Sequence, residues 1–107
     1  MPASDITHAY YRLYVFVVPE FLADGWNRDR IMKEINDAGI PCFSGSCPEI
    51  YNEKAFDRDN LRPAAPLANA RRLGPVSLAF LVHPTLMAED MDRTCDVLDD
   101  ILTKASN

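Results

Sequence analysis

Few side chains in this sequence are of a type that does covalent chemistry. A lysine that attacks a carbonyl must present an uncharged amine, so it has to be desolvated or set beside another cation. The chain has three: Lys33 and Lys104 on the polar faces of helical segments, and Lys54 in an irregular stretch. None is placed to form a Schiff base. His83 ends the most apolar run of the chain, where an imidazole could serve a ligand or simply bond the turn that it closes. Glu49 and Tyr51 bring two polar tips into one long loop. Tyr10, Tyr11 and Tyr14 could stack on bases, but only beside a basic groove, which is missing. There is no glycine-rich phosphate loop, no nucleophile elbow and no His-Glu-x-x-His helix. No residue is therefore assigned a catalytic role.

The cysteines add little to this. Cys42, Cys47 and Cys95 cannot all pair within one chain, and reduced thiols in a cytoplasmic protein are the expectation. Cys42 and Cys47 resemble half of a zinc site, yet a closed site needs four ligands and only His8, His83 and scattered carboxylates remain. No metal is expected. The net charge of −5 and the pI near 4.8 leave no basic surface to track phosphates, so nucleic acid is excluded as a partner. No segment reaches the roughly 20 apolar residues of a membrane span.

The elements that hold these residues can be read in order along the 107 residues, which suffice for one domain. Residues 1–7 form a polar, flexible leader, and residues 8–107 a single domain. His8-Ala9 opens a strand over Tyr10–Val18, ended by Pro19. Its two faces, Tyr11/Leu13/Val15/Val17 and Tyr10/Arg12/Tyr14/Phe16/Val18, are both largely apolar, unlike a strand with one wet face. A helix follows, with Asn27 as N-cap, Trp26 and Ile31 as a hydrophobic staple, and Gly39 as its stop. Ile31, Ile35 and Ala38 face inward and Met32 flanks them, while Arg28, Lys33, Glu34 and Asp37 point away. Ile40–Ser44 is extended, and Pro41 confines it to a sheet edge. Periodicity is then lost from Gly45 to Arg62. A second helix is predicted over Pro63–Leu73, with Leu67, Ala70 and Leu73 inward. The apolar run Val76–Val82 is a strand buried on both faces, stopped at His83-Pro84. A long helix spans about Ala88 to Lys104, with the stripe Met91, Cys95, Leu98, Ile101 and Leu102. Met87 stands where a capping serine or threonine would be expected.

Strand, helix, strand, helix, strand, helix points to a small two-layer α+β domain. The first two strands, joined through a helix, run parallel with a gap between them, and the third fills the gap antiparallel. With helices on one face, the other face is bare. That face carries either Tyr10, Tyr14 and Phe16 or the partner set, and an apolar patch of that size marks an interface.

Several residue strings, taken together, resemble the C-terminal domain of the DegT/StrS-type sugar aminotransferases, pyridoxal-phosphate enzymes of aminotransferase fold type I. They are His8-Ala9-Tyr10-Tyr11-Arg12-Leu13-Tyr14-Val15, Arg28-Asp29-Arg30-Ile31 through Asp37-Ala38-Gly39-Ile40-Pro41, and Gly45-Ser46-Cys47-Pro48-Glu49-Ile50-Tyr51. Ser77-Leu78, Leu81-Val82-His83-Pro84-Thr85-Leu86 and Glu89-Asp90-Met91 complete the set. The resemblance implies that the cofactor lysine and phosphate site belong to a large N-terminal domain outside this chain. This chain would then be the small domain that docks on it, in a dimeric parent acting on a nucleotide sugar, with no pyridoxal phosphate bound to this chain alone. Tyr10, Tyr14 and Phe16 become the domain interface. Ser46, Glu49, Tyr51 and His83 become the residues nearest the substrate. Many members of that family carry a His-Tyr pair and a further His in this loop, where this sequence has Gly45-Ser46 and Tyr51. The alternative is a stand-alone binding or dimerisation module that uses the same bare face.

Overall fold

The computed structural model describes residues 4–7, 10–45, 47–57 and 61–107. A three-stranded antiparallel sheet forms from β1 (Arg12–Phe16), β2 (Cys42–Phe43) and β3 (Ser77–Leu81), in the order β1-β3-β2. Three α-helices accompany it: α1 (Arg28–Asp37), α2 (Ala68–Leu73) and α3 (Ala88–Ala105). The most apolar strand is the central one, antiparallel to both neighbours, as its two-sided hydrophobicity required. Leu13 pairs with Phe80, Val15 with Leu78 and Cys42 with Phe80, and these side chains share the face that meets α1 and α3. Ile31, Ile35, Ile40, Ile101 and Ala105 complete the core there. Tyr14, Phe16, Phe43 and Leu81 share the opposite face, around Ser77 and Ala79.

Helix α1 follows the expected local rules. The Asn27 side chain accepts from the Arg30 amide at 2.8 Å, which satisfies one of the free N–H groups of the first turn. Trp26 packs against the core and also lies under the Arg30 guanidinium, 4.0 Å from the ring centre. Gly39 takes φ +84°, a conformation that a side chain disfavours, and ends the helix. Beyond it, Asn36 reaches Cys42 twice. Its Nδ2 donates to the Cys42 carbonyl at 2.8 Å and its Oδ1 accepts from the Cys42 amide at 3.2 Å.

Four expectations are corrected. Arg28 does not point to solvent. It is largely buried, and its Nη1 donates to the Ser77 carbonyl at 3.2 Å, tying α1 to the start of β3. The second helix is shorter than Pro63–Leu73, because Pro66 disfavours helical geometry at Ala65 and α2 begins only at Ala68. Leu67 is exposed as a result. The inward stripe of α3 is Leu98, Ile101 and Ala105, while Met91 and Cys95, nearer its start, are exposed and Leu102, between two buried residues, is exposed beside an opening next to β1. β1 covers only the middle of Tyr10–Val18. Tyr10 has φ 47°, which takes it out of the alternation that places Tyr14 and Phe16 side by side. His8 and Ala9 lie outside the described residues. The missing cap at Met87 is offset by Asp90, whose carboxylate accepts from the Met87 amide at 2.9 Å.

Candidate functional site

Two apolar surfaces flank β1. On the side away from α1 and α3, Tyr14 and Phe16 are 44% and 50% exposed, with Phe43 and Leu81 beside them. Arg12 joins this row from the end of the strand, its guanidinium 5.9 Å from the Phe43 ring centre. At the other end, Tyr14 and Phe16 meet Pro48, Ala70 and Leu73, so the loop and α2 wall the aromatic face on one side only. On the helical side, a second groove of about 300 Å³ runs between β1 and α3, past Leu13, Val15, Phe21, Leu98 and Leu102. The composition of β1, apolar on both faces, is the sequence signal for both surfaces. The groove could not be foreseen, because it depends on where α3 stops covering β1.

The residues expected near the substrate divide into two places. Tyr51 is buried, its hydroxyl 2.5 Å from a Glu49 carboxylate oxygen and accepting from the Leu67 amide at 3.2 Å. The hydrogen bond to Glu49 first, and burial second, push the Tyr51 phenol above its ordinary value, so this tyrosine is a held proton donor rather than a base. The pair buckles the loop onto the start of α2. Pro48, in the same loop, packs against Gly74 just before β3. His83 follows the far end of β3. A strand of this length separates it from the Glu49–Tyr51 pair by on the order of 20 Å. The structure therefore does not bring His83 and Tyr51 together. His83 Nδ1 lies 2.8 Å from the Thr85 hydroxyl and accepts from the Thr85 amide at 3.3 Å. That amide can only donate, so Nδ1 of the exposed His83 serves as the acceptor that holds the turn. Ser46 lies outside the described residues.

The nucleophiles are similarly constrained. Lys33 Nζ is 2.5 Å from Asp37, and the hydrogen bond to that carboxylate raises its pKa, the wrong direction for a lysine that must lose its proton. Lys104 pairs with Asp100 at 3.2 Å, and Lys54 is exposed in a 3₁₀ turn, Lys54–Phe56. No lysine of this chain fits the bond that pyridoxal phosphate makes to its enzyme. Cys42 is buried, and desolvation pushes its thiol up to about 11, which leaves it protonated and inert at neutral pH. Cys47 and Cys95 are exposed. Among the described residues no cluster of His, Cys, Asp or Glu could hold a metal ion, and no helix is long and apolar enough to cross a membrane.

Comparison with known proteins returns no matching family model and no matching curated relative. Among solved structures, the chain is similar to an aminotransferase from Psychrobacter cryohalolentis, at 52% sequence identity and a TM-score of 0.84. The match covers 91% of this chain and 25% of that one. The chain thus spans about a quarter of the length of the aminotransferase that it resembles, and nearly all of it is the same small α+β unit.

Proposed function

We propose that this chain works as the small C-terminal domain of a pyridoxal-phosphate-dependent sugar aminotransferase of the DegT/StrS type. The observation that carries the reading is the match of nearly the whole chain to one quarter of an aminotransferase. The exposed row of Tyr14, Phe16, Phe43 and Leu81 supports it, since a face of this kind is buried in the working protein. In this reading that row, with Tyr10, docks on a large domain that supplies the cofactor lysine. The cofactor provides the electron sink for transamination, and no residue here takes part in that step. Ser46, Glu49 and Tyr51 are proposed to border one end of the nucleotide-sugar substrate, and His83 the other. Tyr51 is already committed to Glu49 and Leu67, so it orients the loop, while His83 is exposed with Nδ1 bonded to Thr85. The parent is proposed to be a cytoplasmic dimer that aminates a keto nucleotide sugar.

A chimera tests this. The matching quarter of the Psychrobacter aminotransferase is replaced by this chain, and transamination of keto nucleotide sugars is compared with that of simple keto acids. An active, cofactor-loaded chimera is expected, whereas this chain alone with pyridoxal phosphate shows no borohydride-trappable adduct on a single lysine. A chimera that folds and loads cofactor but transfers no amino group overturns the reading. Activity on keto acids alone overturns the sugar assignment. The second reading, a stand-alone dimerisation module, also draws on the exposed aromatic row, and a tight homodimer that buries Phe16 in a chain unable to support the chimera would favour it.

A further inference from the structure

The groove between β1 and α3 is an opening in the hydrophobic layer of the domain. It lies over Ile31 and Ile35, the two largest wholly buried side chains among the described residues. Apart from Ser106, its lining side chains are hydrocarbon, so water inside it finds almost no hydrogen-bond partner. Its rim is exposed: Leu13 by 50%, Phe21 by 70% and Leu102 by 42%. A volume of about 300 Å³ is at the lower end of pockets that take a ligand, and it has room for large apolar side chains. A core left open at this size is a packing fault unless something fills it.

We infer that an apolar segment of an aminotransferase polypeptide, from the part outside this domain, seats its side chains in this groove. The domain is then gripped on both sides of β1, through the groove as well as the aromatic face. This rests on the aminotransferase reading above. Two observations select the occupant. The matched structure contains this unit as one quarter of a longer chain, so the remaining chain is tethered at high effective concentration. A second copy of this chain is disfavoured by charge. Each copy carries −5, and exposed acids adjoin the rim residues: Glu20 precedes Phe21, and Asp99 is one helical turn before Leu102. Two copies facing each other here would oppose like charges. The complementary segment is apolar with basic residues flanking it.

The test uses the chimera described above, carrying Phe21→Cys or Leu102→Cys on the rim, with Asp96→Cys as a control elsewhere on α3. Alkylation at each position is followed by peptide mass spectrometry, with activity measured on the same sample. In an active chimera the two rim positions are expected to react at least about tenfold more slowly than the control, as befits buried sites that react only through local opening. An active chimera whose rim cysteines react as fast as the control overturns the inference and leaves the aminotransferase reading intact. A chimera without the rim cysteines that folds and loads cofactor but transfers no amino group overturns that reading, and the inference with it. Protection of the rim in this chain alone, rising with its concentration, shows a second copy in the groove and also overturns the inference.

Discussion

Gly74→Ala probes how the irregular loop is fastened to the sheet. Gly74 has φ −53° and ψ −52°, ordinary helical values that alanine adopts without strain. On backbone grounds alone, the substitution stabilises by about 0.4–1 kcal/mol, because alanine has less freedom to lose on folding. A Cβ at this position, however, would stand 2.4 Å from Pro48 Cγ and 2.8 Å from Pro48 Cβ. The obstacle is a rigid ring held by its own backbone, so it cannot swing aside as a lysine tip would. Overpacking of this kind costs about 1–3 kcal/mol. The net expectation is a loss of about 1–2 kcal/mol, a fall in Tm on the order of 5–15 °C for a domain of this size. Urea unfolding of four chains closes the cycle: parent, Gly74→Ala, Pro48→Gly (which removes both the Cγ and the Cβ that the new methyl would meet) and the double variant. With the ring removed, the added methyl has space, and the double variant should be more stable than the sum of the single changes by about 1–2 kcal/mol. A Gly74→Ala chain as stable as the parent, or additive changes, would refute the packing of Pro48 on Gly74.

Other consequences follow from individual groups. Thiol labelling of the native chain should modify Cys47 and Cys95 rapidly and Cys42 only after unfolding, as read by peptide mass spectrometry. The raised Cys42 pKa means that its stabilising contribution is complete below pH 9 and is lost as pH rises towards 11. Two pKa units amount to about 2–3 kcal/mol, and Cys42→Ala should flatten that alkaline slope in denaturant titrations. Ile35→Ala, at a fully buried position, should cost about 2–5 kcal/mol in urea unfolding. Asn27→Ala should cost about 1 kcal/mol by the same measurement, from the loss of the bond to the Arg30 amide. Tyr51→Phe leaves the Leu67 amide without its partner and should cost about 1–3 kcal/mol, with faster amide exchange at Leu67.

The parts of this fold legible in the sequence are those fixed by local rules. Asn27 and Gly39 bracket α1 because a cap and a left-handed glycine act within one turn. The run Val76–Val82 is assigned to the centre of the sheet by its apolar residues on both faces, and four of the five residues of β3 are buried there. What escaped is long-range. Nothing within α1 announces that Arg28 reaches the Ser77 carbonyl, 49 residues further along the chain. The period of α3 shows that Met91 and Leu102 belong to an apolar stripe, but not whether a partner covers them. The length of the loop, its polar tips at Glu49 and Tyr51 and the resemblance mark it as a candidate site, with no indication of how it folds. The separation of Tyr51 from His83 depends on long-range contacts, Tyr51 with Leu67 and Pro48 with Gly74, which put the loop beside the start of β3 while His83 follows its end.

The double bond of Asn36 to Cys42 has a consequence for how the sheet can grow. A side-chain amide that donates to one carbonyl and accepts from the same residue's N–H imitates a neighbouring peptide group. β2 is only two residues long, so this single mimic occupies the outward hydrogen-bonding positions of Cys42, where another chain would otherwise add a strand. The sheet is thereby made directional, closed to templated aggregation at β2, so that any extension has to occur at β1.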